Sequence, residues 1–122
     1  MFKTILLVGA GSAIGGVLRY AVGRWVQSFA HTVFPWGTFA VNVAGCFLIG
    51  VIYGLVDRHF PLSPEMRLFL TVGFCGGFTT FSTFIHENYL LFGSSNITVV
   101  IYGIASLAVG LLCAHLGHLV AG

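Results

Sequence analysis

Asn42 and a run of phenylalanine and hydroxyl residues are the side chains in this sequence best suited to handle an ion. The run extends from Gly76 to Phe84 and reads Gly-Gly-Phe-Thr-Thr-Phe-Ser-Thr-Phe. Phe81 and Phe84 lie three residues apart and therefore share a helix face. The edge of an aromatic ring is electropositive, and hydroxyl and amide groups donate hydrogen bonds. Rings turned edge-on beside such donors could solvate a small anion.

Each of these features also has a plainer interpretation. Phenylalanines at helical spacing commonly pack in a core or against lipid, with Ser82 and Thr83 simply lying on the neighbouring faces. A single Asn42 within an apolar span can hold two helices together. Arg19, near the end of its apolar run, either snorkels to the interface or attracts anions at a pore mouth. The residues alone leave these alternatives open.

The middle of the third apolar run is poorly suited to a regular helix. Gly76 and Gly77, followed by Thr79 and Thr80, weaken helical structure. A break in hydrocarbon frees carbonyl and amide groups, so it survives only where protein, water or an ion satisfies them. Freed carbonyl oxygens suit a small hard cation. The alternative is a plain kink whose hydroxyls bond to the preceding turn.

The composition places these residues in a membrane. Of the 122 residues, 57% are hydrophobic and 7% are charged, and the mean hydropathy is +1.00. Soluble domains carry about 25% charged residues, so this chain lacks the polar side chains to cover a surface in water. These values exclude a disordered tail, a secreted disulfide scaffold and a cytosolic enzyme. We expect an integral membrane protein and not an enzyme. Its partner is expected to be the lipid bilayer, and no nucleic acid is expected to bind it.

Four apolar runs are long enough to cross a bilayer, which takes about 20 helical residues. They form a single transmembrane domain, with predicted spans at about residues 4–24, 37–56, 67–92 and 97–120. Short connections separate them, and Ser63 is suited to cap the third helix with Pro64 at its first position. Cys46, Cys75 and Cys113 lie within spans and are expected to be small buried hydrophobes.

The distribution of positive charge leaves the orientation of the chain in the membrane open. With four spans, one side carries Lys3, Arg58 and Arg67 and the other carries Arg19 and Arg24. This difference is too small for the positive-inside rule to decide, so the chain inserts one way on weak signals or inserts both ways and pairs antiparallel. Four thin helices fill their own interior, so a conduit requires an oligomer.

Three segments match the Gly-x-x-x-Gly pattern, which lets helices approach closely. They are Gly11–Gly15, Gly50–Gly54 and Gly73–Gly77. Such packing serves either a contact between subunits or a contact within one subunit.

No apolar run carries an acid at its centre. Glu87 falls near the end of the third run, where we expect a helix cap or an ion pair, and His86, His115 and His118 are expected to be packing or interface residues. A small multidrug-resistance-type proton-coupled antiporter, the alternative transporter, needs such an acid in its first helix. A non-transporting subunit of a larger complex would explain the glycines but not the Thr-Phe-Ser-Thr-Phe sequence.

The sequence resembles the Fluc/CrcB fluoride channels of microbes along nearly its whole length. Three segments carry the resemblance, in order: Gly15–Tyr20, Gly37–Asn42 with Gly45, and Gly73–Phe84. The resemblance implies an all-α membrane protein of four transmembrane helices, the third broken mid-membrane, assembled as an antiparallel, dual-topology homodimer. It further implies a passive, selective channel with two pores that exports fluoride across the bacterial inner membrane and protects the cell from fluoride toxicity.

The resemblance also implies roles for individual residues. Backbone oxygens of Gly76 and Thr79 from both subunits would hold a structural sodium ion (Na⁺) at the centre of the dimer. Arg19 matches the family's arginine and is assigned to the pore mouth. Phe78 stands where many members have leucine, a mild apolar change. The fluoride path would be lined by Asn42, Phe81, Ser82, Thr83, Phe84 and Tyr102.

Overall fold

Every regular element of this chain is a helix. A computed structural model describes residues 1–122. In chain order the elements are α1 (Phe2–Ser28), α2 (Trp36–Asp57), α3 (Pro64–Leu68), a π-helical stretch (Phe69–Cys75), α4 (Gly76–Phe78), α5 (Ser82–Leu91) and α6 (Asn96–Ala121). The pieces from Pro64 to Leu91 together form the third span, and all four spans are long and apolar enough to cross a membrane. The prediction of an all-α chain with four long apolar helices is confirmed.

The outer surface of the helices is apolar. Only 18 of the 122 residues are buried within the chain, and large side chains such as Leu107 and Leu111 face outward. An apolar surface of this extent is unfavourable in water and suits contact with lipid or with another protein. The chain is therefore a multi-pass membrane protein.

Helices α2 and α6 run parallel and pack through glycine. A Cβ atom at Gly50 would overlap the carbonyl of Ala114, and one at Gly54 would lie 2.7 Å from the carbonyl of His118. These contacts advance in the same direction along both helices. At the ends of α2 and α6, Nε2 of His118 lies 2.7 Å from Oδ2 of Asp57, an ion pair when the histidine is protonated.

Helix α1 packs on the third span by the same means. A Cβ atom at Gly15 would overlap the carbonyl of Phe74, and one at Gly11 would lie 2.9 Å from the Phe74 nitrogen. From the opposite side, Cβ atoms at Gly73 and Gly77 would crowd the backbone of α1 at 3.0 and 2.5 Å. All three Gly-x-x-x-Gly segments therefore pack within one chain.

The third span begins as predicted, and its α-helical geometry is then replaced in two places, first by a π-helical stretch and then by a non-helical segment. The hydroxyl oxygen of Ser63 accepts from the amide of Met66 (3.1 Å), and Pro64 follows it, which confirms the predicted cap. A π-helical stretch separates α3 from α4. Helical geometry ends at Phe78, Thr79 is extended with φ −99° and ψ 160°, and α5 begins at Ser82. We call residues 79–81 the interruption.

Candidate functional site

Asn42, on α2, pairs with the backbone of the interruption. Its Nδ2 donates to the carbonyl of Thr80 (3.0 Å), and the amide of Thr80 donates to Oδ1 of Asn42 (2.8 Å). A side-chain amide has both a donor and an acceptor, so it replaces the partners that a helical turn would supply. The pair offsets the cost of leaving backbone groups unpaired in apolar surroundings.

The carbonyl oxygens of Gly76 and Thr79 lose their helical donors. In a regular α-helix the amides of Thr80 and Thr83 would donate to the carbonyls of Gly76 and Thr79, four residues earlier. Instead the Thr80 amide donates to Asn42, and the Thr83 amide donates to Oγ1 of Thr80 (3.2 Å). Backbone oxygens with free lone pairs are ligands that hard cations take. No group of three or more His, Cys, Asp or Glu side chains could hold a metal ion instead.

The side chain of Arg19 points inward to the end of α4. Its Nε donates to the carbonyl of Gly77 (2.9 Å). A positive group at the carbonyl end of a helical stretch is favourable because the backbone dipoles leave negative charge there. Of the interpretations that the sequence left open for Arg19, neither included this backbone contact.

A cavity of about 290 Å³, which we call the aromatic cavity, lies beside the interruption. Its lining residues are Asn42, Cys46, Thr79, Thr80, Phe81, Phe84, Ser106 and Leu107. The ring centroids of Phe81 and Phe84 are 5.9 Å apart, with the rings inclined by 35°. The cavity therefore brings together four residues singled out from the sequence, namely Asn42, Thr79 and the two phenylalanines.

A second cavity of about 230 Å³, which we call the polar cavity, holds two more of the predicted residues, Arg19 and Thr83. Its other lining residues are Tyr20, Gly23, Arg24, Gln27, Gly37, Thr38, Val41, Thr80 and Glu87. Thr80 lines both cavities. The polar and aromatic cavities therefore adjoin at the interruption.

Two of the predicted path residues line neither cavity. Ser82 is exposed, and its Oγ lies 3.4 Å from Oγ1 of Thr80. Tyr102 is 0% exposed, with its ring centroid 4.7 Å from that of Phe84. Within one chain, Tyr102 thus supports the wall of the aromatic cavity from behind.

Glu87 accepts two hydrogen bonds from side chains. The hydroxyl of Tyr102 donates to Oε1 (2.9 Å), and the hydroxyl of Thr38 donates to Oε2 (2.8 Å). Within the chain, Glu87 forms neither the helix cap nor the ion pair expected of it, because both of its carboxylate oxygens accept from hydroxyl groups. These hydrogen bonds place the carboxylate at the wall of the polar cavity.

Ser106 and Cys46 line the aromatic cavity and were not singled out from the sequence. The hydroxyl oxygen of Ser106 is fully buried and has no hydrogen-bond partner. Ser106 follows Tyr102 by one helical turn, and Cys46 follows Asn42 by one turn, so both lie on faces already marked by a candidate residue. That spacing is the signal that would have found them.

Comparison with known proteins identifies close relatives over nearly the whole chain. Residues 6–118 match the family model described as CrcB-like protein, Camphor Resistance (CrcB). A protein of Acidobacterium capsulatum named fluoride-specific ion channel FluC is 46% identical over 116 residues, 94% of this chain and 93% of its own length. Proteins of the same name from Rhizobium leguminosarum bv. trifolii and Flavobacterium psychrophilum are 47% and 38% identical, covering 92% and 98% of this chain and 90% and 97% of their own lengths.

Proposed function

This chain belongs to the CrcB-like family, and from that membership we propose that it is a passive fluoride channel. Relatives that align over 93% and 97% of their own length are named fluoride-specific ion channels. Hydrogen fluoride enters a cell as a neutral molecule and releases its anion inside. A channel that lets fluoride leave down the membrane potential would protect the cell from its toxicity.

The aromatic cavity is the observation that carries this proposal. Fluoride is small and strongly hydrated, so it enters a narrow path only where concentrated donors replace its water. Asn42 retains one amide hydrogen beyond its bond to Thr80, and Ser106 has a buried hydroxyl without a partner. The positive ring edges of Phe81 and Phe84 would complete the site. Chloride is larger, and a narrow path would exclude it.

The remaining path residues would act on either side of this cavity. The guanidinium of Arg19 would raise the local concentration of anions in the polar cavity, and the hydroxyl of Thr83 would supply a donor there. Ser82 would extend the track of hydroxyls on the exposed side of the chain. Tyr102 would contribute through its contact with Phe84.

The carbonyl oxygens of Gly76 and Thr79 fit a structural sodium ion. The support is that both oxygens lack their helical donors, as described above. Two oxygens are fewer than hard cations take in proteins, so the same pair from a second copy would be needed. When bound, the ion would supply positive charge to the interruption, which we propose lies mid-membrane.

A second copy would also close the aromatic cavity. Phe81 is 74% exposed in the single chain, which is unexpected for a ring that selects an ion. The nearly even charges on the two sides permit pairing of two oppositely inserted copies. We propose an antiparallel, dual-topology homodimer with two pores and a sodium ion at its centre, in the bacterial inner membrane.

Fluoride efflux from sealed liposomes containing the purified protein tests this function. We expect release whose rate follows the electrical potential and is unchanged when a pH gradient is imposed or collapsed. Efflux that requires a pH gradient would instead favour the proton-coupled antiporter, although α1 contains no acidic residue. A complete lack of efflux would favour the non-transporting subunit.

A further inference from the structure

A line of aromatic rings joins the connection between α1 and α2 to the aromatic cavity. In that connection, the ring centroid of Phe34 lies 4.5 Å from Trp36 and 5.2 Å from Tyr102. Tyr102 lies 4.7 Å from Phe84, and Phe84 lies 5.9 Å from Phe81. Contact thus runs without a gap from a residue outside the spans to both rings of the cavity.

The middle ring of this line is firmly held. Tyr102 is 0% exposed, and its hydroxyl donates to Glu87, which in turn accepts from Thr38. Its ring plane meets that of Phe34 at 69° and that of Phe84 at 58°. Tightly packed side chains leave little space to absorb a displacement. If the ring of Phe34 is lost or displaced, the ring of Tyr102 therefore moves, and the ring of Phe84 moves with it.

We propose that Phe34 is a positioning residue for the ring of Phe84, and that it thereby sets how well the aromatic cavity distinguishes fluoride from larger anions. This inference rests on the fluoride channel proposed above. Phe34 does not line the aromatic cavity and acts through Tyr102. Loss of its ring leaves space behind Tyr102 and lets Phe84 turn. A turned ring presents its negative face to an anion in place of its positive edge.

Three variants test the selectivity effect by fluoride and chloride efflux from liposomes. Phe34→Leu should lower the ratio of fluoride to chloride efflux by about three- to tenfold, the size expected for loss of an aromatic contact. Phe34→Tyr retains the ring and should keep the wild-type ratio. Phe29→Leu is the matched control, since Phe29 pairs with Trp25 at 5.3 Å, outside this line. An unchanged ratio in Phe34→Leu overturns the inference.

The position of the ring can be measured without relying on conduction. With 4-fluorophenylalanine placed at residue 84, we expect one sharp fluorine resonance in the otherwise wild-type protein and a shifted or broadened one in Phe34→Leu. Phe34→Met fills the space without a ring, so it serves where Phe34→Leu does not fold. An identical resonance in all variants refutes the positioning role. A wild-type protein that conducts no fluoride refutes the proposed channel, whereas the resonance still decides the position of the ring.

Discussion

At the residue scale, the side-chain amide of Asn42 pairs with the backbone of the interruption and still has a hydrogen free to donate. It donates to and accepts from the backbone of Thr80, and it retains one hydrogen with no acceptor in the chain. Ser106 adds a second donor without a partner in the same cavity. Buried polar groups are nearly always hydrogen-bonded. In our proposal, these two donors and the two aromatic rings beside them bind the anion.

Asn42→Asp should block conduction. The carboxylate keeps the acceptor for the Thr80 amide but loses the donor to the Thr80 carbonyl, and it repels an anion in the cavity. Two like charges about 4 Å apart at an effective dielectric of about 20 repel by about 4 kcal/mol, so we expect fluoride efflux to fall by about a hundredfold or more. Asn96→Asp, at the first residue of α6, is the matched control. Normal efflux through Asn42→Asp would remove this residue from the path.

Phe81→Ile should reduce fluoride efflux by about tenfold, because the aliphatic side chain has no positive edge to offer. Phe81 is 74% exposed in the chain, so its loss removes little internal packing. Phe92→Ile changes a ring that is 73% exposed in the turn between α5 and α6, and it should conduct normally. Size-exclusion profiles establish that both variants remain folded. Equal rates for the two variants would show that Phe81 does not contact the anion.

At the element scale, the irregular backbone of the third span is bonded by side chains of two neighbouring helices. Helix α1 contributes Arg19 to the end of α4, and α2 contributes Asn42 to the interruption. Glycines bring α1 close enough for the first of these bonds. The backbone of the third span is thus stabilised by side chains of α1 and α2.

Gly15→Ala should destabilise the protein by about 1–3 kcal/mol, the usual cost of overpacking. Its Cβ atom would overlap the carbonyl of Phe74 and lie 2.9 Å from the nitrogen of Phe78. Gly16→Ala is the matched control, because a Cβ atom there meets nothing within 4 Å. Thermal unfolding in detergent measures the difference. Equal midpoints for the two variants would mean that α1 does not pack on the third span in this way.

Replacing sodium by a larger cation should lower the thermal midpoint by about 5 °C, since a ligand bound only to the folded state stabilises it. Thr79→Ala keeps the backbone oxygen and should keep the same dependence on sodium. Both are measured at constant ionic strength. A midpoint indifferent to the identity of the cation would leave Gly76 and Thr79 without the proposed ion.

Local rules predict part of this architecture. The four spans follow from hydropathy, the Ser63 cap from its position before Pro64, and the shared face of Phe81 and Phe84 from their spacing. The bonds of Arg19 and Asn42 to the third span join residues that are 58 and 38 positions apart. Local spacing does not reveal contacts between residues so far apart in the sequence. It therefore does not predict that the helix is interrupted at Thr80, which pairs with Asn42, while the glycine pair at 76–77 stays helical.

At the scale of the whole molecule, the site that we propose is incomplete within a single chain. Phe81 and Ser82 are exposed, and the carbonyl oxygens of Gly76 and Thr79 alone are too few to hold a cation. The Gly-x-x-x-Gly segments are occupied within the chain, so the contact between copies that we propose would use another face. The exposed side of the interruption is that face in our proposal.

Antiparallel pairing predicts that orientation can be separated into two complementary variants. Glu65→Lys gives four positive residues against two in favour of the side of Arg58, and His31→Lys, Val33→Lys and Ser94→Lys together give five against three in favour of the side of Arg24. Each variant should insert predominantly one way and should lose fluoride efflux when expressed alone. Expression of both together should restore it. Full efflux from either variant alone would contradict the dual-topology dimer.

The ratio of fluoride to chloride efflux, measured in one preparation of sealed liposomes containing the wild-type protein, is the most direct test of the central claim. If the free donors of Asn42 and Ser106 and the ring edges of Phe81 and Phe84 replace the water around the smaller anion, fluoride should leave rapidly while chloride is retained. Comparable rates for the two ions, or retention of both, would contradict this account.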